Sequence, residues 1–358
     1  MYLPIDLLVT FASNLLHWTS RANTSIHLEL KPRYAGLQAT SINAHMVVAG
    51  RHFLADQDML QLVMDVGRVP SMNYTGAEAI RSWDDEGELE LTYVEADMVR
   101  RWHPVRSTSG HIHLAFTVYP RHTTVATPPG PRNDFRVNDG GLVGTGNVFI
   151  PTVLELSTTA RPTVYDLDVR WDLSEAPAGT TAVWTFGEGA HVVYRGTINT
   201  LVNSIYMVGT SIRSYVDPSL PGFGFYYLTK PPAHFLADPT AMARQIARLF
   251  PAMTNYFDQQ SDTYRVFLRE SPRGYGGSAF EWSFMIEWDK AVQIGRGPDD
   301  PESQADDLYF LVAHEMAHNW PTMQGPPGNQ EDANTTWFEE GEYKSPTVPC
   351  SGCIRVIR

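Results

Sequence analysis

Two-residue alternation of apolar and polar side chains dominates the chain from residue 25 to about residue 215. In the stretch YDLDVRWDL, charged residues separate the apolar residues Tyr165, Leu167, Val169, Trp171 and Leu173. The same alternation occurs in SIHLEL, ELELTYVEA, HIHLAFTVYP and AVWTFGEG, with Gly-, Pro- and Asn-rich segments between them. Such a pattern is typical of half-buried strands joined by turns. It predicts an antiparallel β-sandwich or curved sheet as the N-terminal domain, residues 1–215.

The pattern changes after residue 215, and a chain of 358 residues is long enough for two domains. In PTAMARQIARLFPAMTNYF, apolar residues recur at three- and four-residue steps, which predicts a helix bent near Pro251. A strand (TYRVFLRE), a glycine turn (GYGG) and a second strand (AFEWSFMIEWD) are expected to follow. We expect residues 216–345 to form this α+β domain and residues 346–358 to form an irregular tail.

Alternation within AFEWSFMIEWD predicts which residues share a face of the second strand. The expected apolar face carries Phe280, Trp282, Phe284, Ile286 and Trp288. Glu281 and Glu287 are then expected on the opposite face.

Composition narrows the partners and the compartment. The chain carries 27 basic and 40 acidic residues, a formal net charge of −13, which disfavours nucleic acid and anionic membrane surfaces as partners. No run reaches the roughly 18 apolar residues that a membrane helix needs. The only cysteines are Cys350 and Cys353, so disulfides cannot staple the body of the protein, and a cytoplasmic location is slightly favoured over secretion. Nothing in the sequence predicts the oligomeric state.

The stretch LVAHEMAHNW, residues 311–320, contains two histidines that flank a glutamate at helical spacing. On a helix, His314 and His318 emerge from one face a turn apart and can bind one cation together. Neutral imidazoles are ligands that zinc prefers. Glu315 points to the side of that pair, where it can take a proton from a metal-bound water. The alternative is a surface helix on which these residues fell into register by chance.

A catalytic zinc needs a third protein ligand, and a carboxylate is a usual one. The segment TTWFEEGEY begins 17 residues after His318 and offers Glu340, followed by Gly341, which permits close approach of a second helix. Glu339 is the nearest competitor for this role. We expect one zinc ion per chain.

The segments HEMAHNW and WFEEG resemble the gluzincin pattern H-E-x-x-H-x-W followed by W-x-x-E-G. The chain is most similar to the glycyl aminopeptidases, metallopeptidase family sixty-one, with the alanyl aminopeptidases as second candidate. The resemblance implies a thermolysin-like catalytic domain in which His314, His318 and Glu340 hold zinc. It also implies hydrolysis of peptide bonds by an aminopeptidase, with Glu315 activating a zinc-bound water.

Two weaker matches lie upstream. YGG at residues 275–277 is similar to the tyrosine-glycine-glycine segment of the glycyl family, and RWDLSEAPAG resembles strands of its N-terminal domain. In such peptidases a strand beside the cleft binds the peptide backbone, which implies a substrate-binding role for Gly276 and Gly277. Glu281 or Glu287 could hold the free amine of the substrate. The alternative for both is an exposed strand glutamate.

The chain stops 18 residues after Glu340, whereas the related catalytic domains continue. This leads us to expect a C-terminally truncated chain or a shifted reading frame, an incomplete catalytic domain, and poor cover for Leu308, Leu311 and Val312. A second hypothesis is therefore a non-catalytic homologue whose β-domain binds a protein or a glycan.

Overall fold

The computed structural model describes residues 24–127, 130–154, 162–229, 239–258, 261–272, 274, 276–289 and 301–320, the last range without the side chains of residues 301–308. In this part of the chain the helices are α1 (Ile198–Val202), α2 (Pro239–Tyr256) and α3 (Pro301–Ala317), with 3-10 turns at Gly76–Glu78 and Gly146–Val148. The strands are β1 (Ser25–Ala35), β2 (Gln38–Ala49), β3 (Leu60–Val63), β4 (Asp65–Val66), β5 (Val69–Pro70), β6 (Arg81–Asp84), β7 (Gly87–Glu88), β8 (Leu91–Ala96), β9 (Val99–Pro104), β10 (Ile112–Val118), β11 (Arg136–Asn138), β12 (Gly141–Thr145), β13 (Thr152–Val153), β14 (Tyr165–Trp171), β15 (Thr181–Trp184), β16 (Gly187–Glu188), β17 (His191–Gly196), β18 (Ile205–Gly209), β19 (Arg213–Val216), β20 (Phe223–Tyr227), β21 (Tyr264–Glu270), β22 (Gly276–Phe280) and β23 (Ser283–Trp288).

The first sheet has seven strands in the order β17-β14-β1-β2-β10-β6-β7. Its pairs are antiparallel except for β1 and β14, which run parallel with Ser25 opposite Asp166. The alternation along β14 is confirmed, because its aromatic and aliphatic residues are buried while Asp166 and Arg170 are exposed. The parallel pair differs from the expected antiparallel arrangement, because alternation identifies a buried face but not the direction of the neighbouring strand.

Two larger sheets and the two-stranded sheet β4-β5 complete the described β-rich part of the chain. One has the order β11-β12-β18-β15-β16, and the other has the order β13-β3-β9-β8. Inward-facing residues of these sheets and of the first sheet form one continuous buried cluster, which includes Leu28, Trp102, Leu142, Trp184 and Tyr206. Such packing of sheet faces is what alternating strands require to bury their apolar side. The division at residues 215 and 216 stays a prediction.

The sheet next to the candidate site has the order β19-β20-β21-β23-β22. Strands β20, β21 and β23 are parallel to one another, and β22 closes the end of the sheet as an antiparallel strand. Helices α2 and α3 cover one face of this sheet through residues such as Ile246, Phe250, Val312 and Met316. The other face packs on residues of the second sheet, including Val143 and Met207.

The predicted continuous strand AFEWSFMIEWD is wrong. The segment is a hairpin in which β22 ends at Phe280 and β23 begins at Ser283, with Trp282 at a φ of 49° in the turn. Glu281 is a turn residue, so it does not share a strand face with Glu287. Aromatic residues occupy alternate positions from Phe280 through Trp282 to Phe284, so the alternation continues across the turn and conceals it.

The expectation that Val312 lacks cover is also wrong, because this residue is fully buried against α2 and the sheet, while Leu311 is half-buried. The side chain of Leu308 lies outside the described residues. Within the described residues, no helix combines the length and the apolar composition needed to cross a bilayer.

Candidate active site

The two histidines of the predicted motif meet at the C-terminal end of α3. The helix ends at Ala317, and the chain continues in a turn in which the backbone N–H groups of Asn319 and Trp320 donate to the carbonyls of Met316 and Ala317. Because this turn continues the winding of the helix, the rings of His314 and His318 stay on one side. Their Nε2 atoms are 3.1 Å apart, and the two rings are nearly perpendicular, at 88°.

This separation fits a shared metal ion. Two nitrogens that each lie about 2.0–2.1 Å from a tetrahedral zinc are about 3.3 Å from each other. The observed 3.1 Å between the Nε2 atoms of His314 and His318 is close to that value. The described residues contain no group of three or more metal-ligating side chains. Glu340, the predicted third ligand, and its competitor Glu339 lie outside the described residues.

Glu315 is buried beside the histidine pair, with 7% of its surface exposed. It faces the backbone of Gly277 in strand β22, at a distance that leaves no room for a side chain there. A Cβ atom at residue 277 would lie 2.6 Å from Cγ and 2.7 Å from Oε1 of Glu315. Gly277, which stays a predicted substrate-binding residue, lets the edge strand approach this carboxylate.

The residues after His318 anchor the end of the helix in the core. The Nδ2 group of Asn319 donates to the hydroxyl of Tyr264 in β21 over 3.1 Å. Burial, with a smaller contribution from the negative charge of Glu315, raises the pKa of Tyr264 well above its usual value. Trp320 is fully buried, and its ring stacks on Phe257 with 5.0 Å between centroids.

The exposed-glutamate alternative is wrong for Glu287. This residue is 3% exposed, and its carboxylate lies among the guanidinium groups of Arg132, Arg136 and Arg269. The strand alternation did not reveal this burial, because the arginines that surround Glu287 come from distant parts of the chain.

Glu281 is half-buried in the hairpin turn rather than exposed on a strand. Its carboxylate accepts hydrogen bonds from Thr200 Oγ1 at 2.9 Å and from Asn199 Nδ2 at 3.2 Å. Burial raises the pKa of Glu281, and these two bonds oppose that shift. The glutamate therefore ties the hairpin to helix α1.

Gly276 faces Arg132, a residue that the sequence reasoning missed. A Cβ at residue 276 would lie 2.5 Å from Nη2 of Arg132. The backbone N–H of Arg132 donates to Ser278 Oγ over 2.8 Å, so this segment runs along the hairpin strand. Burial lowers the pKa of Arg132, while the charges of Asp134 and Glu315 oppose the shift. No local pattern distinguishes Arg132 in the sequence, because its role depends on contacts across the fold.

The fold has counterparts among solved structures. An aminopeptidase N family protein from Idiomarina loihiensis matches with a TM-score of 0.61 at 13% sequence identity, over 88% of this chain and 52% of its own. A substrate-bound mutant of an M1 zinc metallopeptidase from Deinococcus radiodurans aligns over 84% of this chain and 63% of its own, with a TM-score of 0.46 and 14% identity. No protein-family profile and no curated protein sequence matches the chain.

The chain therefore has the fold seen in the aminopeptidase N family protein, and it spans about half the length of that protein. The predicted fold class, an N-terminal β-rich region followed by part of a thermolysin-like domain, is confirmed.

Proposed function

We propose that this chain carries the catalytic motif of a zinc-dependent peptidase of the gluzincin type. The observation that carries the proposal is the placement of three side chains: His314 and His318 with their Nε2 atoms 3.1 Å apart, and Glu315 buried beside them. If the motif had arisen by chance on a surface helix, its glutamate would not be expected to lie buried against a glycine of an edge strand. Burial of a carboxylate is costly unless hydrogen bonds or cations compensate it, so a buried glutamate next to the two histidines is a candidate functional residue.

His314, His318 and Glu340 are the proposed zinc ligands, with one zinc per chain. When bound, zinc polarises the scissile carbonyl and lowers the pKa of water, which is the chemistry that peptide hydrolysis needs. The distance between the Nε2 atoms of His314 and His318 is compatible with this ion.

Glu315 is the proposed general base and acid. Its carboxylate takes a proton from the attacking water and then delivers that proton to the nitrogen of the leaving amine, so that no net proton is consumed. Because the side chain is 7% exposed and packed against Gly277, the carboxylate is held in place before substrate arrives. Such preorganisation is worth more than the same group on a mobile surface.

Strand β22 is the proposed platform for the peptide. It pairs with β23 and stands at the end of its sheet, so its outer edge has no neighbouring strand among the described residues. An extended peptide can add to such an edge through backbone hydrogen bonds, beside Gly276 and Gly277.

The more specific assignment is an aminopeptidase of the glycyl type, with the alanyl type as the second candidate. It rests on the YGG segment and on the motif resemblance. The fold match to an aminopeptidase N family protein supports removal of N-terminal residues. Glu281 remains a candidate for the amine of the substrate, since the arginines around Glu287 already satisfy that carboxylate.

The test combines metal content with turnover in the purified chain. We expect about one zinc per folded chain by mass spectrometry, lost or much weakened in Glu340→Ala and retained in the matched control Glu339→Ala. Glycyl and alanyl p-nitroanilides report hydrolysis, which Glu315→Gln should lower by about a hundredfold or more without loss of zinc.

Two outcomes would contradict the proposal. A folded chain that binds no zinc would exclude the metal site. A zinc-loaded chain that hydrolyses neither anilides nor unblocked peptides would instead favour the second hypothesis, a binding protein whose zinc helix is structural.

A further inference from the structure

A cluster of buried charges lies where the second sheet meets strands β21 and β23. We call it the arginine cluster. Its members are the arginines Arg121, Arg132, Arg136 and Arg269 and the carboxylates Asp134 and Glu287. The proposed hydrolysis does not use this cluster.

Three of these arginines contact Asp134. The distances to its carboxylate are 2.6 Å from Nη2 of Arg269, 2.9 Å from Nε of Arg136 and 3.5 Å from Nη1 of Arg121. Arg269 also donates to two backbone carbonyls, those of Asp134 at 2.6 Å and Val143 at 3.1 Å. The guanidinium group of Arg269 is thereby fixed in the interior.

Glu287 also has three arginine partners. Nε of Arg269 donates to Oε1 over 2.7 Å, Nε of Arg132 is 3.1 Å from Oε2, and Nη2 of Arg136 contacts Oε1. Arg136 and Arg269 thus bridge both carboxylates. Each carboxylate is saturated with cations, so neither can neutralise a further arginine.

The charges within the cluster do not balance. Four arginines against two carboxylates give 4 − 2 = +2. Arg132 also interacts with Glu315, but without Arg132 three arginines still face two carboxylates. The side chains of Arg269, Arg136 and Arg121 are 1%, 9% and 18% exposed, so water screens the excess poorly. Uncompensated charge in such a place is unfavourable.

The interior position of Arg269 disfavours its charged form. Burial, together with repulsion from Arg136, lowers the pKa of Arg269 to about 9, although Asp134 acts in the opposite direction. Burial likewise lowers the pKa of Arg136. Burial therefore disfavours the charged forms of these two guanidinium groups.

A cavity of about 50 Å³ opens beside the excess charge. Its lining includes Arg121, Arg132 and Arg136, the two carboxylates that they contact, and the hydroxyl-bearing residues Thr123 and Thr124. A water molecule needs roughly 10–15 Å³ by the same kind of measure, so the space suffices for a few waters or for one small anion. Guanidinium groups bind halides and carboxylates through charge-assisted hydrogen bonds.

We propose that this cavity binds one small monovalent anion, a halide or a carboxylate, which neutralises excess charge of the arginine cluster. The anion comes either from solution or from the acidic side chain of a bound peptide, because Arg132 also borders the strand that we propose as the peptide platform. Binding of the free anion does not depend on peptidase activity, so a failure of the proposed function leaves this site testable.

The primary measurement is the thermal unfolding temperature of the full chain at constant ionic strength, as gluconate is replaced by chloride or acetate. Gluconate carries a hydroxyl-bearing, chain-branched carbon directly next to its carboxylate, whereas acetate and a glutamate side chain do not, so gluconate is the bulkier carboxylate and serves as the reference. We expect saturable stabilisation by chloride and by acetate, on the order of 2 °C. Unfolding temperatures that are equal in all three anions would overturn the proposal.

Variants separate site binding from a general salt effect. Arg121→Gln removes one cation of the excess and leaves Asp134 paired with Arg136 and Arg269, so we expect unchanged or higher stability in gluconate and loss of the chloride response. Arg121→Lys should keep the response at lower affinity. The matched control Arg170→Gln removes an exposed arginine that is paired with Asp168 and should respond to chloride as the parent chain does. A chloride response that persists in Arg121→Gln would overturn the proposal.

The source of the anion is resolved by a pair of blocked amino acids, N-acetyl-glutamate amide and N-acetyl-glutamine amide, added in gluconate. Suppose that the glutamate compound raises the unfolding temperature and the glutamine compound does not, and that chloride removes this difference by competing for the site. This result assigns the site to a peptide carboxylate. Stabilisation by chloride and acetate with no effect of either amide assigns it to a free anion.

Discussion

Gly277 in strand β22 and Glu315 in helix α3 are in direct contact, and a Cβ atom on Gly277 would lie 2.6 Å from Cγ of Glu315. The two residues are 38 positions apart in the sequence, yet each constrains the other. The carboxylate is buried because the edge strand covers it, and the strand can cover it because residue 277 has no side chain. The position of the proposed base therefore depends on residue 277 being a glycine.

Gly277→Ala should therefore displace either the strand or the glutamate. We expect a loss of about 1–3 kcal/mol in the free energy of unfolding, because the methyl group overpacks a buried contact. Urea unfolding measures the effect. The matched variant is Gly276→Ala, whose methyl group meets the outer end of the Arg132 side chain and should cost less. Equal losses in the two variants would mean that the contact with Glu315 is not tight.

The hydrogen bond between Asn319 and Tyr264 should stabilise the end of the zinc-motif helix. Tyr264→Phe leaves the buried Nδ2 group of Asn319 without its tyrosine partner, which should cost about 1–2 kcal/mol of unfolding free energy. A double-mutant cycle with Asn319→Ala isolates the pairwise contribution. Strictly additive losses would show that the two side chains do not interact.

Asp84 should make the β-rich part of the chain sensitive to acid. Its carboxylate is fully buried and accepts two hydrogen bonds from Arg106, at 2.7 and 2.8 Å, which lower its pKa to about 2. Because the folded-state pKa lies below the unfolded value, the stabilisation is present above about pH 4 and is lost as the pH falls towards 2. We expect roughly 2 kcal/mol to be lost in that window.

The measurement is the free energy of unfolding as a function of pH in the parent chain and in Asp84→Asn, with Glu90→Gln as an exposed control. The variant should have lower stability at neutral pH and a shallower slope between pH 4 and pH 2. Identical slopes in the parent chain and Asp84→Asn would contradict the assignment.

His45 and His113 should make the free energy of unfolding depend on pH in a second, higher pH range. Their rings stack at 5.4 Å on the outer face of the first sheet, with Nε2 of His45 3.2 Å from Nδ1 of His113. Burial, followed by the proximity of His113, lowers the pKa of His45, while Glu29 acts in the opposite direction. Since the unfolded chain then binds a proton more readily, stability should fall as the pH drops below about 6.5.

Replacement of His113 by asparagine should raise the pKa of His45, because a neighbouring positive charge is removed. Titration of the imidazole signals by NMR measures the change. His111→Asn is the matched control, since this histidine is exposed and lies just before the same strand. A His45 pKa that is the same in the parent chain and in His113→Asn would exclude this coupling.

Local sequence patterns predicted those features that depend on local geometry. The spacing of His314 and His318 places both rings on one side of a helix in any fold, and the alternation of β14 determines its buried face wherever the strand lies. The hairpin at Glu281 and Trp282 was missed because the aromatic alternation runs from Phe280 to Phe284 across the turn, and no Gly, Pro or Asn marks the turn.

The arginine cluster could not be predicted, because its contacts join residues far apart in the chain. Asp134 and Arg269 are 135 positions apart, and no periodic pattern relates them. The predicted third ligand Glu340 lies outside the described residues and stays a prediction.

The parallel pair of β1 and β14 imposes an order of events during synthesis. Strand β2 can pair with β1 as soon as it leaves the ribosome, but the partner for the other edge of β1 ends at Trp171. At typical synthesis rates this edge waits on the order of ten seconds for its neighbour. During that interval the nascent chain presents an open strand with three fully buried aliphatic residues, Ile26, Leu28 and Leu30, of the finished core. The earliest part of the sheet is therefore the part most dependent on chaperone protection while the chain is being made.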